Sequence, residues 1–323
     1  MATLSAADQL TPIEVAKRFS SKETQTIVES LAVTDQFLLD SAIFEASDGT
    51  LNKTVQRVAL PTGTHRIYGQ GIAAHASQTR QLEDRICMLE DYSDVDADMA
   101  DHSPNKKALL EGEDKAFLMG MGQTMTENLV YGNFAADPAS INGLAVRYPS
   151  LVAGSVKAAT ANNGTSGWLI GWGKQRVHLF YPRGHESLGI KREFRGKIDA
   201  TVVDPTTHAV RQYPAYRTFF SAHYGLAVRD ARAVKRVCNI TSAVDGLVVL
   251  KALVELRNKM PPGEGNLVFY CNATVKTLFD TYALTAANMC YRTDDHFGRP
   301  VTMFQDIRIR QVDELIDTEV ALT

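Results

Sequence analysis

The stretch AFLMGMGQTMTENLVYGN, residues 116–133, constrains the fold more than any other part of the chain. Leu118, Met121, Met125 and Leu129 follow one another at steps of three, four and four, which places them on one face of a helix. Ser103-Pro104 supplies an N-cap and a first helical residue, and Gly132 a stop. The spacing predicts a helix from about 104 to 131, roughly 40 Å long at ~1.5 Å per residue. Gly120 and Gly122 each cost about 1 kcal/mol against Ala inside such a helix. The reason expected for them is close approach of another backbone. A phosphate-cradling loop is excluded by spacing: its third glycine falls where Met125 stands, and no strand leads in.

Around this helix the chain divides into segments of different character. Residues 1–46 read as two short helices on an arm. Thr11-Pro12-Ile13-Glu14 has the form of a capping box, and Ser20 with Glu23 repeats the spacing. Such helices are too short to persist alone in water. TLNKTVQRVAL, from Thr50, reads as a strand, followed by a turn at Pro61-Thr62-Gly63 and a polar stretch. QLEDRICMLEDYSDV reads as the return strand, with Leu82, Ile86 and Met88 on one side. Residues 47–102 are therefore expected to form a long hairpin with a loose polar end, marginal unless something covers it.

Beyond Pro149 strands and helices mix. WLIGWG and RVHLFYP read as strands. In PAYRTFFSAHYGLAVRDARAVKRVCNI, Tyr216, Phe220, Tyr224, Leu226 and Val228 share one parity, so two long strands are expected. TSAVDGLVVLKALVELRNKM reads as a helix with Leu247, Leu250 and Val254 on its buried face, ended by Pro261-Pro262. NLVFYC is a strand feeding a helix capped by Asn272, and RPVTMFQDIRIRQVDEL closes with strand.

Composition narrows the function. No apolar run approaches the ~18 residues of a membrane span, and the N-terminus lacks the form of a signal peptide, so a soluble cytosolic product is expected. With 34 Lys plus Arg against 37 Asp plus Glu, the chain lacks the basic excess of a tight DNA binder. Cys87, Cys238, Cys271 and Cys290 form no Cys-x-x-Cys and read as buried thiols.

Each candidate site has a plainer reading. Gly173-Lys174 mimics a phosphate loop but has Trp168 and Gln175 where Gly and Ser/Thr are needed. Asp94, Asp96 and Asp98 have the spacing of a calcium loop, yet Met99 and Asn105 stand where Gly and an acid belong, so a solvated acidic linker is expected. His178 reads as a satisfied core histidine. Arg229, Arg232, Lys235 and Arg236 could face nucleic acid; the plainer reading is one charged strand face paired with neighbouring acids. No catalytic constellation remains, and neither a metal nor a cofactor is expected.

In order along the chain, LEDRICMLEDYSDVDADMA, AFLMGMGQTMTENLVYGN, INGLAVRYPS, WLIGWGKQRVHLFYPRG, AYRTFFSAHYGLAVRDARAVKRVCNI, VFYCNATVKTLFD and GRPVTMFQDIRIRQVDELIDTE span most of residues 80–320. This ordered set resembles the major capsid proteins of tailed double-stranded DNA bacteriophages, with the HK97-like fold, and within them the epsilon15-like podovirus branch.

The resemblance implies an α+β fold. Residues 1–46 become an N-terminal arm, 47–102 an extended E-loop lying across a neighbouring subunit, and 103–148 the spine helix of the P-domain with its following turn. Residues 149–323 become an A-domain with strands returning to the P-domain. It implies a non-enzymatic protein of the virion capsid, assembled in the host bacterial cytoplasm as hexamers and pentamers of an icosahedral shell around double-stranded DNA, which it touches weakly. The assembly residues expected are Lys53, Arg57, Arg66, Arg80 and Arg85 on the hairpin and Gly120 and Gly122 on the helix. Some branches cross-link a loop lysine to a neighbour's asparagine; Lys53 is the lysine in position, but no partner is picked out. The arm begins at once, so a separate scaffolding protein is expected, with a portal protein and a possible decoration protein. The alternatives are an encapsulin-like nanocompartment shell, whose mark is copurified enzyme cargo, and a soluble α+β enzyme without a motif.

Overall fold

The computed structural model describes residues 36–59, 61–152, 154–184, 190–203, 210–261, 266–285, 291–296 and 299–323. The capping boxes at Thr11 and Ser20, and Cys290, lie outside them. The described chain opens with α1 (Gln36–Asp40) and β1 (Ile43–Glu45).

The centre is a mixed sheet built on β6 (Thr165–Trp172), every residue of which is buried. β6 runs antiparallel to β10 (Val234–Ile240) on one edge and to β11 (Asn266–Cys271) on the other, and β14 (Ile307–Gln311) lies parallel to β11. Strand period decides which residues meet which layer. Trp168, Ile170 and Trp172 of β6, with Val268 and Tyr270 of β11, enter one core, and Leu169, Phe269 and Cys271 enter the other. Gly167 is required by this second core, because a Cβ there would lie 2.3 Å from Phe269 Cζ.

The second core is roofed by α5 (Gly246–Asn258) and α6 (Ala273–Thr285). Asp245 caps α5 by accepting from Leu247 N at 2.9 Å, and Asn272 caps α6 by accepting from Val275 N at 3.0 Å. The face of α5 turned inward is Val249, Leu250, Leu253 and Leu256, with Leu247 and Val254 only half-buried. This differs from the expected stripe because α5 is apolar nearly all round, so periodicity alone offers two overlapping stripes and the sheet selects one.

The first core joins the sheet to a three-stranded blade, β4 (Cys87–Asp96), β9 (Val210–Val228) and β8 (Ile190–Val203), with β9 in the middle. The long helix α3 (Lys106–Tyr131) lies along one face of the blade. Leu118, Met121, Met125 and Leu129 are buried there, together with Phe220, Ala222, Tyr224 and Leu226 of β9. The Phe117 and Phe220 rings stack 6.5 Å apart, and Arg192 of β8 pairs with the buried Asp114 of α3, its Nε donating at 3.2 Å. β9 is long enough to belong to both layers. Its residues 215–224 pair with β4, and residues 225–228 pair with β7 (Val177–Tyr181) of the central sheet.

The start of α3 differs from expectation. Asn105, not Ser103, is the N-cap, its side chain accepting from Ala108 N at 3.1 Å. Ser103 instead closes a short preceding helix, α2 (Ala97–His102). The cause is Asp96, which caps α2 by accepting from Asp98 N at 2.9 Å. Residues 94–98 are thus structured rather than a solvated linker: Asp94 holds Arg217 across the blade through two bonds of 2.5 and 2.6 Å.

Candidate functional site

The strands β2 (Leu51–Ala59) and β3 (Gln78–Arg85) form a separate two-stranded antiparallel sheet. Its ladder ends at Arg85; from Cys87 the chain leaves the hairpin and pairs with β9 instead. Met88 is accordingly exposed on the blade and not aligned with Leu82 on the hairpin.

The root of the hairpin is fixed to the body by polar groups. Asn52, Thr54 and Asp84 are buried on its inward side. Asp84 accepts from Arg147 Nη2 at 2.7 Å, and the same guanidinium nitrogen donates to Leu226 O of β9 at 3.1 Å. Arg147 belongs to α4 (Leu144–Arg147), just after α3, so one side chain joins hairpin, helix turn and blade. Burial raises the Asp84 carboxyl above the usual range, and Arg147 opposes that rise.

The outer half is different. Val55 and Val58 are exposed, and at the far end Ile67 is 76 % and Ile72 67 % exposed with Tyr68 fully in solvent. Lys53 is exposed on β2 opposite Glu83, and Arg57 lies on β2 opposite Thr79. Arg66 Nη1 donates to Gln70 O at 3.1 Å within the tip, and Arg80 Nη2 donates to Gln56 Oε1 at 3.2 Å across the strands. Arg85 places its guanidinium 4.2 Å from the centroid of the Phe134 ring. Lys53, Arg66, Arg80 and Arg85 are therefore strung along the hairpin and do not converge. The exposed apolar tip was missed in the sequence; isolated Ile-Tyr and Ile within a polar stretch were its only signal.

Of the two helix glycines, Gly122 is buried and Gly120 is exposed. A Cβ on Gly120 would meet nothing within 4 Å, so no other segment among the described residues approaches it. Gly120 instead borders a shallow groove between α3 and β4, with Ala116, Thr124 and Leu89.

The basic run at 229–236 is split by the chain turn. Arg232 pairs with Asp230 at 3.0 Å, while Lys235 and Arg236 alternate to opposite faces of the buried β10. Lys235 Nζ donates to Gly154 O at 2.5 Å. Arg236 is bound at 2.8 Å to Glu319, which also accepts from Tyr131 Oη at 2.6 Å and from Ser166 Oγ. No single strand face carries the four cations, so neither a nucleic-acid strip nor one charged face is formed. Burial and the adjoining Glu319 push the Tyr131 hydroxyl pKa up. Residues 312–319 are thereby welded to the end of α3 and to β6, a link no local motif announces.

His178 is buried as expected, but its Nδ1 has no hydrogen-bond partner. Cys87, Cys238 and Cys271 are free, buried thiols; burial pushes Cys87 up to about 11 and Cys271 up to about 12.

A family model described as major capsid protein GP7 matches residues 20–323. Among solved structures, the cryo-EM structure of bacteriophage Epsilon15 is similar with a TM-score of 0.60 and 24 % identity, covering 88 % of each chain. The procapsid of bacteriophage JBD30 is similar with a TM-score of 0.47 and 11 % identity, covering 90 % of this chain and 96 % of that one. An encapsulin from Synechococcus elongatus gives 0.41 and 11 %, covering 74 % and 96 %. None of the curated proteins compared matches. The Epsilon15 likeness shows a mixed α/β, HK97-like capsid fold, and the family model spans nearly all of the sequence: the chain belongs to the major capsid protein GP7 family.

Proposed function

We propose that copies of this chain assemble, as hexamers and pentamers, into the icosahedral shell that encloses a phage's double-stranded DNA. The observation that carries the assembly mode is the hairpin, whose root is pinned by Arg147 while Ile67, Tyr68 and Ile72 stand in water. Exposed apolar surface of this kind costs about 25 cal/mol per Å² until a neighbour covers it. In this reading 1–46 is the arm, 47–102 the E-loop region, 103–148 the spine helix and turn, and 149–323 the A-domain, with β8 and β9 as the strands that return to the P-domain.

Charge supports a neighbouring copy as the cover. Between residues 51 and 85 the sequence carries five Lys/Arg against Glu83 and Asp84, and between Glu90 and Asp114 it carries nine carboxylates against Lys106 and Lys107, of which Asp94 and Asp114 are already paired with Arg217 and Arg192. A basic hairpin laid along the acidic shoulder and shallow groove of the next copy is attracted and oriented by the same contacts. Repeated head to tail, such an interface closes into rings. The overall net charge of −3 suits a wall that holds DNA without adhering to it. A scaffolding protein, a portal protein and a decoration protein are the further partners this reading includes. Electron microscopy of the purified protein tests it: closed shells of uniform diameter are expected, and protein that stays monomeric across assembly conditions contradicts it.

A further inference from the structure

His178 stands where the hairpin is joined to the body. Its ring meets Phe44 of β1 edge-on, with centroids 5.2 Å apart at 87°. β1 is a three-residue strand paired parallel to β7, fastened by Leu179 N donating to Ala42 O at 2.8 Å and Ala46 N donating to Tyr181 O at 2.9 Å. Directly after β1, Ser47 N donates to Asn52 Oδ1 and Ser47 Oγ accepts from Lys53 N at 2.8 Å, so this short strand is also the root of β2.

The surroundings of the ring suit only its neutral form. Its Nδ1 is buried without a partner, so a proton placed there would make a buried donor with no acceptor. Lys174, from the turn before β7, and Arg229, from the end of β9, are the charges acting on it. β9 places the uncharged Ala227 beside it. The nearby carboxylates are committed elsewhere: Glu45 accepts from Gly184 N at 2.9 Å, and Asp230 holds Arg232.

We propose that His178 is an acid-sensitive latch: when its imidazole takes a proton, Phe44 and β1 leave β7 and the root of the hairpin is released. Burial, then Arg229 and Lys174, pushes the His178 pKa in the closed state down to about 4. With β1 open the ring returns towards ~6.5. The open form therefore binds the extra proton between those values. Closure is fully favoured above ~6.5, weakens about tenfold per pH unit below it, and loses nothing further once both forms are protonated.

Hydrogen exchange of the unassembled full-length chain, followed by mass spectrometry from pH 7.5 to 4.5 and corrected for intrinsic rates, tests this. Protection of residues 42–47 should fall roughly 15-fold from pH 6.5 to 5 while that of β6 holds. His178→Gln, which cannot titrate, should make the protection flat with pH. His178→Phe, which keeps an aromatic contact with Phe44, should do the same and serves if the glutamine variant does not fold. Protection in the wild type that stays level to pH 5, or that falls equally in His178→Phe, overturns the latch.

Discussion

The Arg236–Glu319 centre and the outer half of the hairpin are opposites in how they meet their needs. At Glu319, each carboxylate oxygen has a donor from this chain, drawn from α3, β6 and β10. At the hairpin tip, Ile67, Tyr68 and Ile72 are bare, although the strands beneath them are well paired. The contrast teaches that this chain satisfies the polar groups of its Glu319 centre alone and leaves the apolar surface of the hairpin tip uncovered. Self-sufficiency at the centre keeps the subunit one shape, while the unfinished tip gives it a reason to meet a neighbour.

If the centre is self-contained, disturbing it should harm the subunit itself. Glu319→Ala strands the buried Arg236 charge and should cost about 3–5 kcal/mol in denaturant unfolding of the unassembled chain. A loss under 1 kcal/mol would mean that water reaches Arg236. Gly167→Ala tests the second core, where the added methyl presses on Phe269 beneath α5 and α6. It should cost roughly 1–3 kcal/mol by the same measurement. Asn105→Ala removes only the cap of α3 and should cost about 1 kcal/mol. The smallest effect on the subunit is expected at the hairpin: Tyr68→Ser with Ile72→Ser should move unfolding by no more than about 0.5 kcal/mol. The same double variant should lose shell yield in electron microscopy or sedimentation. Destabilisation comparable to that of Glu319→Ala would instead place the tip inside the subunit's own core.

The parts legible in the sequence were those written in one period or one cap. The 3.6-residue pattern from Leu118 to Leu129 marked α3, and the shared parity of Phe220, Tyr224 and Leu226 marked the buried face of β9. Asn272 announced α6 through its side-chain chemistry. Competing signals misled: Ser103-Pro104 is a sound cap, but Asp96 had already started α2 and shifted the start of α3 to Asn105. Illegible parts were those joining distant positions. Nothing local to Asp84 points to Arg147, and nothing near Glu319 points to Arg236 or Tyr131. The five hairpin cations could be named from sequence because the family resemblance placed residues 47–102 on an extended loop, whereas the exposure of Ile67, Tyr68 and Ile72 shows only once the described residues are seen to leave them uncovered.

The claim that the hairpin finds its cover on another copy is tested most directly by trypsin digestion before and after assembly, read by mass spectrometry at the bond after Arg66. Fast cleavage in the unassembled chain and strong protection in the assembled shell are expected. Equal protection in both states, with no dependence on assembly, would contradict it.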